Sequence, residues 1–345
     1  MKYLRAFLTW CQRHPVLLGA LASALYGLCV RVAFTSGMVN SLFGGWFMTA
    51  SLGFLFGAPL VMGYLALMGH ALKLKTSPDA LPDIRFAEAI FLPWLPTLVS
   101  FCIILAMGFE VMICLIMAAP IVFFMGSLGG VFAWFMLQSK DRPYYRVLSG
   151  ILFLPMVGSG LESQLPQQPA YYEVHNQIAI AADAETVWQH IERVDTIRPE
   201  EQTHSYLHDF GFPRPLEATL SHTGVGGVRH ASFENNILFV ETITDWDKPH
   251  RLSFEIVPEL SKTRSPVVND KILGGRYFDV LEGTYTLEPQ GEHTLLHLTS
   301  KQRVSTFYNV YSSLWTRWIM SELQSYILRV IQQRCEAETL EHGMV

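Results

Sequence analysis

The sequence predicts an α+β chain in two parts: an all-α transmembrane bundle of four to five helices, then a soluble domain of antiparallel strands closed by one long helix. Three observations lead there. Of 345 residues, 50% are hydrophobic and only 16% charged, too apolar for an ordinary soluble enzyme of this length. That excess lies almost wholly before residue 165. Beyond it, apolar residues fall in short runs separated by turn signals, the pattern of strands. The expected division is 1–165 for the membrane part, 172–338 for the soluble domain and 339–345 for a tail.

A helix needs about 18 to 20 apolar residues to cross about 30 Å of hydrocarbon. Four runs meet this length: Val16 to Phe34, Leu42 to Met68, Ala89 to Met107 and Val111 to Leu137. The second and fourth contain Pro59 and Pro120 and are long enough to tilt or kink. Lys2, Arg5 and Arg13 precede the first run, which reads as an anchor because no small-residue cleavage site follows it and further runs do. A fifth candidate, "VLSGILFLPMVGSGLES" at 147–163, is short enough for a re-entrant segment as well as a span. Its flanks favour crossing, with Tyr144, Tyr145 and Arg146 on one side and Glu162, Tyr171 and Tyr172 on the other.

Basic residues sort to alternate connections: Lys2, Arg5 and Arg13; Lys73, Lys75 and Arg85; Lys140, Arg142 and Arg146. The positive-inside rule then puts the N-terminus in the cytoplasm of a multi-pass inner (cell) membrane protein. The fifth crossing would deliver the C-terminal domain to the periplasm or cell exterior. Arg31, Glu110 and Glu162 all fall at outer ends of their segments and are expected to pair there. "GFLFG" at Gly53 to Gly57 is a small-xxx-small pattern that favours helix packing.

A net charge of −5 offers no basic footprint, so nucleic acid is not an expected partner. The five cysteines, Cys11, Cys29, Cys102, Cys114 and Cys335, include no CxxC pair and imply neither a metal site nor a disulfide framework.

In the soluble part, "IAI" reads as a strand, and Asp183 as the cap of a helix over "AETVWQHIERV", with Val187, Trp188, Ile191 and Val194 at helical spacing. Strand-like runs follow near Ala218 to His222, Val228 to Glu234, Ile237 to Asp247, Arg251 to Val257, Tyr277 to Leu287 and His293 to Val304. The turns "TGVGG", "ENN", "DKPH", "LGG" and "PQGE" separate them. Tight spacing favours an antiparallel meander. A long amphipathic helix from about Phe307 to Glu336 closes the chain, its stripe running through Tyr311, Leu314, Trp315, Trp318, Leu323, Ile327, Val330 and Ile331.

This order, with "IAIAADAETVWQHI", "GVGGVRHASFENNILFVETITDWDKPHRLSFEI" and "YFDVLEGTYTLEP", resembles the START-related SRPBCC superfamily of polyketide cyclase and lipid transport domains over about residues 172 to 338. The resemblance implies a helix-grip fold, in which a curved sheet grips the terminal helix around a cavity for an apolar ligand. The competing expectation is a solid core. Candidate ligand-binding residues are Phe239, Glu241, Ile243, Phe254, Arg276, Tyr285 and His297 from the sheet and its loops, and Trp315 and Trp318 from the helix.

Glu241 alternates with Phe239 and Ile243, so it points inward with them and needs a partner; Arg229, Arg276 and His297 are candidates. His204 and His208, at i and i+4 beside Asp209 and near Glu200 and Glu201, form a metal clasp only if that stretch is helical, and a surface loop is the alternative. "GVGGV" lies between two strands and reads as a hairpin turn, not a phosphate loop. The loop "ELSKTRSPVVNDKILGG" suits a lid. No nucleophile–base order is present. The sequence therefore predicts membrane-tethered binding of a lipid or other hydrophobic molecule, for transfer or sensing, with no cofactor. Two alternatives stay open: a cyclase or hydrolase using Glu241, His230 or Arg276, and a transporter or assembly protein with a regulatory domain.

Overall fold

Apolar helices make up the first of two units into which the chain divides after Pro166. The computed structural model describes residues 15–35, 51–74, 84–138, 150–262, 273–275 and 277–343. In the first unit these form α1 (Pro15–Thr35), a π-helical turn (Gly53–Gly57) running into α2 (Ala58–Leu74), α3 (Phe86–Phe91), α4 (Trp94–Ala106), α5 (Met112–Gln138) and α6 (Leu154–Gln164). Among the described residues three stretches suffice by length and composition to cross a membrane, Gly53–Ala71, Phe86–Ala106 and Met112–Gln138, while Gly19–Phe34 is a shorter apolar helix. The expected single run from Ala89 to Met107 is split by a turn at Leu92 and Pro93. Within the fifth candidate, α6 has 11 residues, a rise of about 16 Å; residues 147–149 lie outside the described set.

Pro59 has no N–H to offer the carbonyl one turn back, and the helix widens into the π turn just before it. The two small residues of "GFLFG" serve packing. A side chain at Gly53 would meet the Pro155 carbonyl at 2.1 Å, so only glycine lets this turn approach α6. Ser51 and Ser159 share a hydroxyl hydrogen bond of 2.9 Å beside it. Arg31 pairs with Glu110 and donates to the Phe109 carbonyl at 2.9 Å. The Glu162 carboxylate accepts from the Leu52 backbone N–H.

The second unit runs β1 (Ala170–Ile180), α7 (Ala184–Glu192), a 3-10 turn (Pro199–Glu201), α8 (Tyr206–Asp209), β2 (Pro215–Leu220), β3 (Val228–Phe233), β4 (Ile237–Asp247), β5 (Arg251–Glu259), β6 (Phe278–Gln290), β7 (His293–Val304) and α9 (Asn309–Gly343). Asp183 caps α7 by accepting from the Thr186 N–H at 2.9 Å. The strands form one antiparallel sheet in the order β1-β7-β6-β5-β4-β3-β2, so the meander β2 to β7 ends where β1 pairs along the whole of β7, from Ala170 opposite Val304 to Ile180 opposite Thr294. Bulges interrupt the register at Pro215/Glu217, Ile243/Asp245 and Val280/Glu282, adding bend and twist.

The sheet curls around α9. Ile180 of β1 and Ile243 of β4, four strands apart in the order, would be about 19 Å from each other in a flat sheet. Inward residues of all five strands from β1 to β4, among them Leu296, Leu287 and Leu252, join them in one core cluster with Leu328 and Ile331 of the helix. A curved antiparallel sheet gripping a long C-terminal helix is the arrangement expected above. The helix turns a row of Met320, Gln324, Leu328, Ile331 and Cys335 inward, all buried.

Candidate ligand-binding site

Two apolar clusters fill the concave face. One joins Ile243, Leu252, Phe254, Tyr285, Leu287, Leu296 and Leu298 to α7 and to the C-terminal half of α9, with partly exposed Ile178, Trp246 and Ile256 packed against it. The other joins Val174, Phe233, Ile237, Leu260, Leu273, Val280 and Met320. Against this second cluster pack Ala231, Phe239 and Ile256, which share the inward face with buried Ile237, Glu241 and Phe254 yet remain partly exposed. Phe239 on β4 has paired neighbours on both sides, Ala231 of β3 and Pro258 of β5, whereas Ile256 lies just beyond the last β5–β6 pair, Glu255 opposite Glu282. Phe239, with strands paired on both sides, is reached by solvent from the concave side, so the face is not completely filled beside it.

A buried ion pair lies between. Arg229 and Glu241 face each other in the β3–β4 register, and Nη1 of Arg229 donates to Oε2 of Glu241 at 2.7 Å. The guanidinium lies 5.0 Å over the Phe254 ring, so one side chain reaches across the floor from β3 to β5. Burial raises the Glu241 carboxyl above its ordinary range, with Arg229 opposing. Burial also pushes the Tyr285 phenol up to about 12, so it stays a neutral donor. A second polar group lies under the helix: Gln324 Nε2 donates to the Val174 carbonyl at 3.2 Å and to Ser300 Oγ at 2.7 Å, and Gln302 bonds Ser300 at 2.6 Å.

The inward placement of Phe239, Glu241, Ile243, Phe254 and Tyr285 agrees with strand alternation, and of the three candidate partners Arg229 holds Glu241. Two other residues stand elsewhere. His297 alternates with buried Leu296 and Leu298 and faces outward, where its ring stacks on His175 with centroids 5.2 Å apart. Its Nε2 is 3.5 Å from Glu288. His230, one residue from Arg229, is exposed on the same outer face. Arg276 and most of the lid loop lie outside the described residues.

Trp315 and Trp318 pack edge to face with centroids 6.1 Å apart, but neither belongs to the clusters under the sheet. At 3.6 residues per turn, Trp315 points about half a turn away from Gln324. The apolar stripe followed the aromatics, whereas the gripped row contains a glutamine that apolarity alone passes over. Gln302, Ser300 and Gln324 were missed for the same reason; the usable signal was their parity with Leu298 and Val304 on β7 and their helical spacing with Met320 and Leu328.

His204 and His208 do not share a helix. Helix α8 starts at Tyr206, so His204 precedes it; exposed, His204 pairs with Asp209 at 3.0 Å, while His208 is buried. Among the described residues no group of three or more His, Cys, Asp or Glu is placed to hold a metal.

No family model matches the chain, and no curated protein matches it. Solved structures similar to it include norcoclaurine synthase from Thalictrum flavum in complex with dopamine and hydroxybenzaldehyde, at 15% identity over 50% of this chain and 89% of that one, with a TM-score of 0.31. A START superfamily protein from Mycobacterium smegmatis is 12% identical over 48% of this chain and 97% of its own, with a TM-score of 0.32. The di-domain ARO/CYC BexL from the BE-7585A biosynthetic pathway is 13% identical over 61% of this chain and 63% of its own, with a TM-score of 0.31.

Proposed function

We propose that the C-terminal unit binds a lipid or other hydrophobic small molecule on its concave face, beside Phe239, and that the helical unit tethers it to a membrane. The observation that carries this reading is the partial exposure of Ala231 and Phe239 on the inward face of β3 and β4, beside the second apolar cluster. Apolar side chains turned inward and left wet are a binding surface in search of an apolar guest.

Burying an acyl chain gains about 0.8 kcal/mol per methylene, so a chain of about 14 carbons gains on the order of 10 kcal/mol. A bilayer offers that chain nearly as much. Exchange between the two is therefore close to neutral, and tethering acts by keeping the local concentration of guest high. This suits transfer or sensing. The distribution of Lys and Arg supports a periplasmic or extracellular position for the domain.

Native mass spectrometry of the full chain, extracted in detergent, tests the reading. A co-purifying lipid mass is expected on the wild type, and Ala231→Trp, which fills the space beside Phe239, should lose it while keeping its thermal unfolding midpoint. Wild-type protein that repeatedly emerges bare overturns the proposal.

A further inference from the structure

The aromatic residues of α9 that stand off the gripped row form a surface of their own. Tyr311, Trp315 and Trp318 make a ladder, with successive ring centroids 6.4 and 6.1 Å apart, and all three stay partly exposed. Beside them Phe307 is 37% exposed, Leu314 63% and Val310 81%. At 3.6 residues per turn Val310, Leu314 and Trp318 fall within about 80° of one another, so the aliphatic side chains and the ladder share one apolar face at the start of the helix. Between Phe307 and Ser321 the only charged residue is Arg317, whose guanidinium lies 5.0 Å over the Tyr172 ring. The acids Glu336, Glu338 and Glu341 sit at the far end of the helix. A face of Val, Leu, Tyr and Trp edged by one arginine and free of acid has the composition of the membrane interface, where aromatic rings lie at headgroup depth and an arginine reaches back to water.

The length of the linker points to what covers this face. Asn309, the first residue of α9, donates from Nδ2 to the Gln168 carbonyl at 3.0 Å. Gln168 follows Gln164, the end of α6, by four residues, which span at most about 14 Å. With α6 entering the membrane, a chain this short keeps the start of α9 at the lipid surface, whether residues 147–163 cross or return. An exposed apolar face leashed so close to lipid has its partner at hand. One turn beyond Arg317, Met320 belongs to the second apolar cluster, so this face and the concave site are consecutive stretches of one helix.

Resting on the membrane tether read above, we propose that the start of α9 docks on the bilayer, with Val310, Leu314 and Trp318 set into the boundary between headgroups and acyl chains. Photocrosslinking tests this, on the full chain in liposomes of phosphatidylcholine and phosphatidylglycerol. One p-benzoylphenylalanine at a time replaces Leu314, Phe124 of α5 or Val225 of the β2–β3 hairpin, which are 63%, 63% and 65% exposed and so tolerate the larger ring. Leu314 should gain phospholipid adducts in the proportions of the bulk lipids, as Phe124 does, and Val225 should gain none. No adduct at Leu314 while Phe124 reacts overturns the docking face and leaves the tether standing; no adduct at either overturns both. A product at Leu314 of twice the chain mass, a crosslink within the chain, or an adduct with one selected lipid means that a second copy, the protein itself or a bound guest covers the face, and each overturns the proposal.

Discussion

Arg229 donates to Glu241 at 2.7 Å across adjacent strands, with the Phe254 ring beneath the guanidinium and both side chains almost wholly buried. Removing one partner strands a charge in an apolar interior. Glu241→Ala should therefore destabilise the fold by roughly 3 to 5 kcal/mol, while the double change Arg229→Met with Glu241→Met should return to within about 1 kcal/mol of the wild type or exceed it. Thermal unfolding of the full chain in detergent decides this. Equal losses in the single and double variants would mean that the pair is not what holds this floor. The pH dependence has a definite sign. Because burial raises the Glu241 carboxyl, the folded state holds its proton more tightly than the unfolded chain does. That stabilisation is complete below the unfolded value of about 4.5 and is lost as pH rises through the folded one. Glu241→Gln, which never ionises, should flatten that slope.

Gly283 carries the next prediction. It is buried on β6, where an added Cβ would approach Cε2 and Cζ of the Phe254 ring at 2.5 and 2.7 Å. Gly283→Ala must push that ring, and with it the guanidinium above. Overpacking of this kind costs about 1 to 3 kcal/mol, and any guest resting on Phe254 should lose affinity along with stability. An unfolding midpoint equal to that of the wild type would show that the ring has room to move.

Much of this arrangement was legible in the sequence, and the parts that were not share a cause. The bounds of β4 and β7, the capping of α7 by Asp183 and the inward parity of Glu241 followed from period-two alternation and cap chemistry, which are local rules. On α9 the expected stripe holds at Leu323, Ile327, Val330 and Ile331, which pack on or in the core clusters, but Trp315 and Trp318 stand off the gripped row, which runs instead through Gln324, a residue that apolarity passes over. His297 was misassigned on residue type, although its own neighbours Leu296 and Leu298 fix it on the outer face. The His208 and Tyr326 rings meet edge to face with centroids 4.7 Å apart although more than a hundred positions separate them, and no local pattern announces it.

Asp183 gives a second pH-dependent prediction, with the opposite sign. The Thr186 backbone N–H that it accepts holds its carboxyl below the ordinary value of 3.8. The contribution is present above the unfolded value and lost as pH falls through the folded one. Asp183→Ala should cost about 1 kcal/mol at neutral pH, a deficit that shrinks below pH 3.8. Asp183→Asn, which caps without titrating, should match the wild type at neutral pH and show no such trend. Unfolding midpoints of the three proteins across that range settle it, and an alanine deficit independent of pH would mean that Asp183 acts by something other than its charge.

The side of the membrane on which the hollow opens rests on charge. Lys73, Lys75 and Arg85 flank one connection of the helical unit and Lys140, Arg142 and Arg146 another, while the intervening stretches near Gly37 to Ser41 and Gly108 to Glu110 carry no basic residue. Lys and Arg are retained on the cytoplasmic side, so in the proposed topology the segment starting near residue 147 sets out from there. The chain reaches the sheet only a few residues beyond Gln164, the end of α6. Fusions after Gln168 should then be active with alkaline phosphatase and dark with green fluorescent protein, as expected when the junction has left the cytoplasm. Neutralising Lys140, Arg142 and Arg146 together should weaken that preference. A fluorescent, phosphatase-inactive pair would place the hollow in the cytoplasm and make residues 147–163 a segment that enters the bilayer and returns.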